Sequence, residues 1–269
     1  MEIIYLWGSY LLLGVCAGIL AGLLGVGGGL IIVPVLAVLF AAQGFAPEYL
    51  MQLAVGTSLA TILFTSLSSL RAHHQHGAVD WPLMLQLSLG MLLGGWLGGV
   101  LALWMGGTVL ASLFGVFELV VAAQMGFGRI PAAHREPPGR LRNTVAGTGI
   151  GMLSALLGIG GGTLTVPWLV WHHIDVRKAV GTSAACGLPI ALSGALGFVA
   201  AGLGRAGLPS GSTGFVYWPA VVVISVASVL IAPQGARLAH RLDRTQLKKI
   251  FAVFLAMLGV LMLGKSMPG

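Results

Sequence analysis

The chain has 269 residues, of which 57% are hydrophobic and 8% are charged, and its net charge is +7. Because a soluble domain averages about 25% charged residues, this composition excludes a water-soluble globular protein and predicts an all-α polytopic membrane protein in a lipid bilayer. The positive charges lie between apolar runs, which is typical of cytoplasmic loops, and the sequence predicts no nucleic-acid partner.

Ten apolar segments follow one another along the chain, five on each side of a basic linker rich in Pro and Gly. The first five are Leu6–Leu24, Val26–Phe40, Leu50–Leu70, Trp81–Met105 and Val109–Phe127. The second five are Val145–Leu157, Thr163–Trp171, Ala179–Ala201, Val216–Ala239 and Ile250–Leu263. We therefore predict an N-terminal transmembrane repeat over 1–128, a linker over 129–143 and a C-terminal transmembrane repeat over 144–269.

The two halves resemble each other in sequence. GVCAGILAGLLGVGGGLIIVP (14–34) aligns without gaps with GTGIGMLSALLGIGGGTLTVP (147–167), and 11 of the 21 positions are identical. The pentapeptide AVGTS recurs at 54–58 and 179–183, and GAVDWP at 77–82 pairs with GFVYWP at 214–219. Because five segments are an odd number, the second half is expected to enter the membrane inverted, as in many secondary transporters.

The loop charges predict the orientation in the cell inner membrane. With the linker 129–143 in the cytoplasm, Arg71, Arg177 and the basic stretch 237–249 also fall on the cytoplasmic side, whereas 202–214 falls outside. This assignment holds whether the short glycine-centred segments span the membrane or re-enter it, so that eight to ten segments remain possible.

Each half contains three adjacent glycines followed by a proline. The residues are Gly27, Gly28, Gly29 and Pro34, and Gly160, Gly161, Gly162 and Pro167. Consecutive glycines favour a broken or re-entrant helix, and free backbone groups at membrane depth occur where they are buried in protein or line a cavity. A helix that starts after such a break offers N–H groups to an anion. The alternative interpretation is close helix packing.

Other polar residues extend this hypothesis. Thr57, Ser58, Thr182 and Ser183 of the AVGTS repeats offer hydroxyl groups to a substrate, or hydrogen bonds between helices. Glu118 is an acid in the middle of a segment and a candidate for proton coupling. The sequence predicts no cofactor, no metal site and no enzyme, since no nucleophile–base pair or set of ligands is apparent.

Further glycines recur every four residues. Gly14, Gly18 and Gly22, and likewise Gly90, Gly94 and Gly98, predict close helix contacts. They are compatible with a homo-oligomer without requiring one.

The paired glycine motifs and the twin AVGTS resemble the TauE/SafE family of sulfite exporters, over about 14–263. The resemblance implies a bacterial inner-membrane protein that moves sulfite or a related organosulfur anion. Together with the anion hypothesis it predicts a secondary transporter of a small anion, sulfite or an organosulfonate, working by alternating access between inverted halves. The alternative is an accessory or assembly subunit of a partner complex. The long loop of the first half and AACGLP (184–189) after the second AVGTS set this chain apart from the family pattern in detail.

Overall fold

The computed structural model describes residues 2–24, 28–127, 139–239 and 244–266. The fold class is confirmed: the chain is 83% helical. The helices are α1 (Glu2–Leu24), α2 (Gly29–Ala42), α3 (Leu50–Gln75), α4 (Trp81–Leu101), α5 (Gly107–Phe127), α6 (Arg140–Leu157), α7 (Gly162–Trp171), α8 (Val176–Gly202), α9 (Trp218–Ala239) and α10 (Arg244–Ser266). A 3-10 turn (Pro47–Tyr49) precedes α3, and a short hairpin of β1 (Ser212–Thr213) and β2 (Val216–Tyr217) precedes α9.

Within the described residues, five segments are long and apolar enough to cross a membrane. They are Tyr5–Gly22, Pro47–Gln75, Trp81–Leu101, Gly107–Phe127 and Val176–Gly202. The chain is therefore a multi-pass membrane protein, and many of its exposed side chains are large and apolar.

Each glycine motif lies between two consecutive helices that form a hairpin, α1 and α2 in the first half and α6 and α7 in the second. The Tyr10 hydroxyl of α1 hydrogen-bonds Gln43 at the end of α2, whereas Gly28 at the start of α2 lies against Ala17. In the second half, the Trp168 indole N–H of α7 donates to Asn143 near the start of α6, at 3.5 Å. At about 1.5 Å per residue, the 10 residues of α7 cover about half of a bilayer core.

Side chains and backbone conformation define the helix ends that position these pairs. Asp80 caps α4 by accepting from the N–H of Leu83, and Asp175 caps α8 by accepting from the N–H groups of Arg177 and Lys178. Gly158 ends α6 with φ +64°, a left-handed conformation that glycine adopts without a Cβ clash. The chain therefore leaves α6 abruptly and starts α7 four residues later.

Most of the helix packing joins one half of the chain to the other. Helix α4 packs on α6 and α8, α1 on α9, α5 on α10, and α3 on α8. If the helices α1–α5 are matched in order with α6–α10, α1 corresponds to α6 and α4 corresponds to α9. The α1–α9 contact is then the counterpart of the α4–α6 contact. The fold thus repeats its own contacts across the two halves.

The predicted close glycine contacts are present inside the chain. A Cβ on Gly94 or Gly98 of α4 would clash with the backbone of α6 around Thr148 and Met152, and one on Gly14 of α1 would clash with Ile224 of α9. Because these glycines already pack against helices of the same chain, their spacing does not indicate an oligomer.

Most of the basic residues whose side chains the structure describes lie at one end of the helices, which we call the basic end. The Arg177 guanidinium at the start of α8 donates to the His76 carbonyl after α3, at 3.4 Å. Asn143 of α6 donates to Gln86 near the start of α4, at 2.8 Å. Among the described side chains, the exposed basic residues of this end are Arg71, Arg140, Arg142, Arg177, Lys178 and Lys249.

The opposite end of the helices is rich in aromatic rings, and we call it the aromatic end. Phe40 and Phe45 both contact the ring of Tyr217, at centroid distances of 5.6 and 5.2 Å. Tyr49 lies against Phe215, at 5.4 Å. The first part of α3, residues 51–62, is buried throughout, so this end is tightly closed.

Candidate functional site

A small polar cavity lies between α3, the turn from α6 to α7, and α8. Its volume is about 30 Å³, whereas one water needs roughly 10–15 Å³. The described lining residues are Ala21, Thr65, Ser66, Ser69, Gly160, Gly161, Gly162, Ser183, Ala184 and Gly187. The lining part of α8 begins about 10 Å from the N-terminus of this helix at the basic end, which is about one third of the thickness of a bilayer core of about 30 Å.

The second glycine motif forms one wall of the cavity. Gly161 precedes the first residue of α7, and no side chain caps this helix start. The first N–H groups of an α-helix have no partner inside the helix, and they carry the positive end of its dipole. The cavity is therefore bordered by backbone donors that a ligand can use.

The start of α7 is in backbone contact with α8. A Cβ built on Gly161 would come within 3.0 Å of the Ser183 carbonyl oxygen and 3.1 Å of the Gly187 nitrogen. A side chain at position 161 would require the backbone of α8 to shift by a few tenths of an ångström, so glycine favours this close approach.

Ser66 faces the cavity from α3. The residue is 8% exposed, and its hydroxyl makes no hydrogen bond within the described part of the chain. A Cβ on Gly187 would stand 2.7 Å from the Ser66 oxygen, so the missing side chain at 187 keeps this space open. The hydroxyl therefore opens into the cavity, where it can donate a hydrogen bond to a ligand or a water.

The hydroxyl protons of two other lining residues are already used. Thr65 donates to the Ile62 carbonyl at 3.2 Å, and Ser183 donates to the Val180 carbonyl at 2.8 Å. Both bonds stay within their own helices. These side chains offer a ligand their oxygen, whereas Ser66 also offers a proton.

The first glycine motif does not line this cavity in the described residues. Gly28 is buried against Ala17, and Gly29 is buried against Gly158 and Ile159. The two motifs therefore meet, since Gly29 contacts the turn that follows α6. Gly27 lies outside the described residues. Pro34 and Pro167 lie inside α2 and α7, at the sixth position of each helix.

The threonines of the AVGTS repeats bind backbone groups of the opposite half. Thr57 Oγ1 accepts from the N–H of Tyr217, and Thr182 Oγ1 accepts from the N–H of Asp80, both at 3.0 Å. Ser58 donates to the Gly158 carbonyl at 2.8 Å. These three residues are fully buried and do not line the cavity.

Glu118 lies apart from the cavity, on the face of α5 that packs on α10. Its side chain is fully buried, and its Cβ would be 3.3 Å from a Cβ on Gly259. Neither carboxyl oxygen has a hydrogen-bond partner among the residues that the structure describes. Glu118 is therefore a buried ionisable group that the packing of α5 on α10 leaves unpaired.

The cavity brings four predicted residues together with others that sequence reasoning missed. The predicted ones are Gly160, Gly161, Gly162 and Ser183; the missed ones are Ala21, Thr65, Ser66, Ser69, Ala184 and Gly187. Two signals were available in the sequence. FTSLSSL (64–70) places four hydroxyl residues in an apolar span, and the distinctive AACGLP contains Gly187.

Comparison with known proteins agrees with the resemblance seen in the motifs. A probable membrane transporter protein of Haemophilus influenzae is 34% identical over 254 residues, covering 93% of this chain and 95% of its own. One of Methanocaldococcus jannaschii is 24% identical, covering 97% of each chain. No solved structure matches the chain significantly. The profile of the family described as "Sulfite exporter TauE/SafE" matches residues 10–262, and the chain belongs to this family of membrane transporters.

Proposed function

We propose that the chain is a secondary transporter that moves a small anion, sulfite or an organosulfonate, across the cytoplasmic membrane. The observation that carries this proposal is the polar cavity, where the uncapped start of α7 faces the unpartnered hydroxyl of Ser66. The sulfur-containing substrate is suggested by the family description. The proposed binding residues are Gly160, Gly161, Gly162, Ser183 and Ser66.

The energetics require several hydrogen bonds. Dehydrating an ion costs several kcal/mol, and a helix dipole offsets only about 0.3–1 kcal/mol. A hydrogen bond to a charged group contributes about 1.5–3 kcal/mol. Three or four donors from the start of α7 and from Ser66 therefore balance the dehydration of a singly charged ion.

Alternating access between two inverted halves is the proposed mechanism. The repeated contacts of the fold support it, because each main contact between helices has a counterpart when the helices of one half are matched in order with those of the other. The halves differ in the extent of packing: α4 packs along α8 through Gly95 and Gly99, whereas the corresponding helix α9 packs less extensively on α3. Rocking of the halves would exchange these two arrangements and carry the cavity from one face to the other.

The proposed orientation places the basic end, with the linker 129–143, in the cytoplasm. The grouping of Arg71, Arg177 and Lys178 at one end supports this orientation through the excess of basic residues in cytoplasmic loops. The aromatic end then faces outward. Residues 128–138 and 240–243 of the basic stretches lie outside the described residues.

Proton coupling through Glu118 completes the proposal. An isolated buried charge is expensive, so the neutral carboxylic acid is the form that fits the observed packing. A conformational change that brings water to the α5–α10 contact would allow the proton to leave. The carboxyl would then link transport to the proton gradient.

The test is uptake of radiolabelled sulfite into proteoliposomes that contain the purified full-length protein, with and without a pH gradient. We expect saturable uptake that other sulfur anions inhibit, and at least a tenfold loss in Ser66→Ala. Ser68→Ala is the matched control, because Ser68 is a partly exposed residue of the same helix outside the lining. Absence of uptake by folded protein would contradict the proposal and favour an accessory-subunit function.

A further inference from the structure

We propose that the cavity selects singly charged oxyanions and rejects doubly charged ones of the same shape, an inference that rests on the proposed anion transport. The juxtaposition behind it is a set of backbone N–H groups and two free hydroxyl groups, of Ser66 and Ser69, in a described lining without a charged side chain. Every described residue that lines the cavity is uncharged.

The nearest basic residue along the lining helix is not part of the described lining. Arg71 follows Ser69 by two residues on α3, and its side chain is exposed. Arg177 and Lys178 of the basic end are likewise exposed. Their positive charge attracts anions towards the basic end, but a bound ion would be held by neutral donors alone.

The number of donors in the cavity is small and fixed. Thr65 and Ser183 use their hydroxyl protons on carbonyl groups of their own helices. This leaves the hydroxyl groups of Ser66 and Ser69 and the first N–H groups of α7 as the donors among the described lining residues. Such a set matches the few oxygens of one small ion.

The cost of dehydration decides between the two charges. The Born energy grows with the square of the charge, so a dianion costs about four times as much to dehydrate as a monoanion of the same size. Neutral donors do not increase in number with the charge of the ligand. A cavity whose donors balance the dehydration of a monoanion therefore leaves most of the dehydration cost of a dianion unbalanced.

The described lining also provides no positive side chain beside the anion. Gly161 lies against the backbone of α8 at Ser183 and Gly187, and the volume of about 30 Å³ corresponds to two or three waters. Within this lining, the charge of the ligand therefore has to be carried by the neutral donors.

The experiment compares methanesulfonate and sulfate, two tetrahedral oxyanions that carry one and two charges. Thermal unfolding of the full-length protein in detergent is measured during titration with each anion at constant ionic strength, balanced with gluconate, because binding to the folded state raises the unfolding temperature. We expect methanesulfonate to bind at least tenfold more tightly than sulfate. Ser66→Ala should weaken methanesulfonate binding about tenfold, and Ser68→Ala should leave it unchanged.

Sulfite itself gives a second measurement. Its binding should weaken as the pH rises through the range where hydrogensulfite loses its proton, whereas methanesulfonate, whose charge is constant there, should bind with little change. This pair separates titration of the ligand from titration of the protein.

The outcomes separate the two proposals. If sulfate binds as tightly as methanesulfonate and Ser66→Ala weakens both, the anion site stands and charge selection is overturned. If Ser66→Ala leaves methanesulfonate binding unchanged, the selecting site is not this cavity and the inference is overturned. If neither anion nor sulfite binds to folded protein, anion transport and charge selection are both overturned.

Discussion

The hydroxyl oxygen of Thr57 accepts a hydrogen bond from the backbone N–H of Tyr217, 160 residues along the chain. The same bond recurs between Thr182 and the N–H of Asp80. Both acceptors belong to AVGTS, and both donors directly precede the Trp-Pro pair that begins a helix of the opposite half. Each threonine thus fixes the entry of a helix from the other half.

Replacing either threonine with alanine should destabilise the fold without weakening substrate binding. The change leaves a buried N–H without an acceptor, which costs about 1–3 kcal/mol. Thermal unfolding of Thr57→Ala and Thr182→Ala should show similar losses, and Thr57→Ser should retain most of the stability because it keeps the hydroxyl. Unchanged stability with lost sulfite binding would instead place Thr57 at the substrate.

Gly187→Ala should abolish transport while leaving the protein folded. The added Cβ would stand 2.7 Å from Ser66 Oγ, and a serine hydroxyl rotates aside at little cost. The methyl group then occupies the space beside Ser66, so we expect at least a tenfold loss of sulfite uptake with unchanged membrane levels.

Gly149→Ala is the matched control, because a Cβ there meets nothing within 4 Å. Full uptake by Gly187→Ala would show that the ligand does not occupy this part of the cavity.

Glu118→Gln should remove the dependence of transport on the pH gradient. Gln keeps the size of the side chain but binds no exchangeable proton at neutral pH, so uptake with and without the gradient should become equal. The measurement is proteoliposome uptake at two internal pH values. Glu48→Gln, which alters an exposed acid near the aromatic end, serves as the control.

A gradient effect that persists in Glu118→Gln would assign coupling to another group. Thermal unfolding provides a check on folding, since Gln in the same packing should preserve stability within about 1–2 kcal/mol.

The orientation can be measured with an impermeant maleimide on intact cells. In a Cys16→Ala, Cys186→Ala background, Arg205→Cys should react from outside, because Arg205 is exposed in the loop between α8 and β1. Lys178→Cys, exposed at the basic end, should react only after the membrane is permeabilised. The reverse pattern would invert the proposed orientation.

The sequence predicted the helices well because a membrane span is a long, continuous apolar run. All ten predicted segments correspond to a helix, and the glycine spacing of α4 predicted a close helix contact, which the structure shows to be with α6. The repeat also paired Thr57 with Thr182, but left open whether they bind substrate or join helices. Their backbone partners, Tyr217 and Asp80, come from distant parts of the chain that spacing alone does not bring together.

The position of the cavity was harder to predict, for a physical reason. In a membrane protein the lipid-facing and helix-facing sides are both apolar, so hydrophobic periodicity does not say which face of α3 is covered. Ser66 and Ser69 could have been identified from their contrast with Ala191 and Gly194, the aligned residues of the second half. Only the packing shows that, within the described part of the chain, these hydroxyl residues line a cavity with the second glycine motif and not with the first.

The exchange of helix partners between the halves has a consequence for synthesis. Helix α4 ends at Leu101, yet the glycine face that receives α6 stays uncovered until the ribosome has translated at least through Leu157. The packing face of helix α1 stays uncovered for longer still, because its partner α9 is translated after α6. The nascent first half therefore enters the bilayer with its closest contacts unmade, and lipid or an insertion chaperone has to cover these faces until the second half arrives.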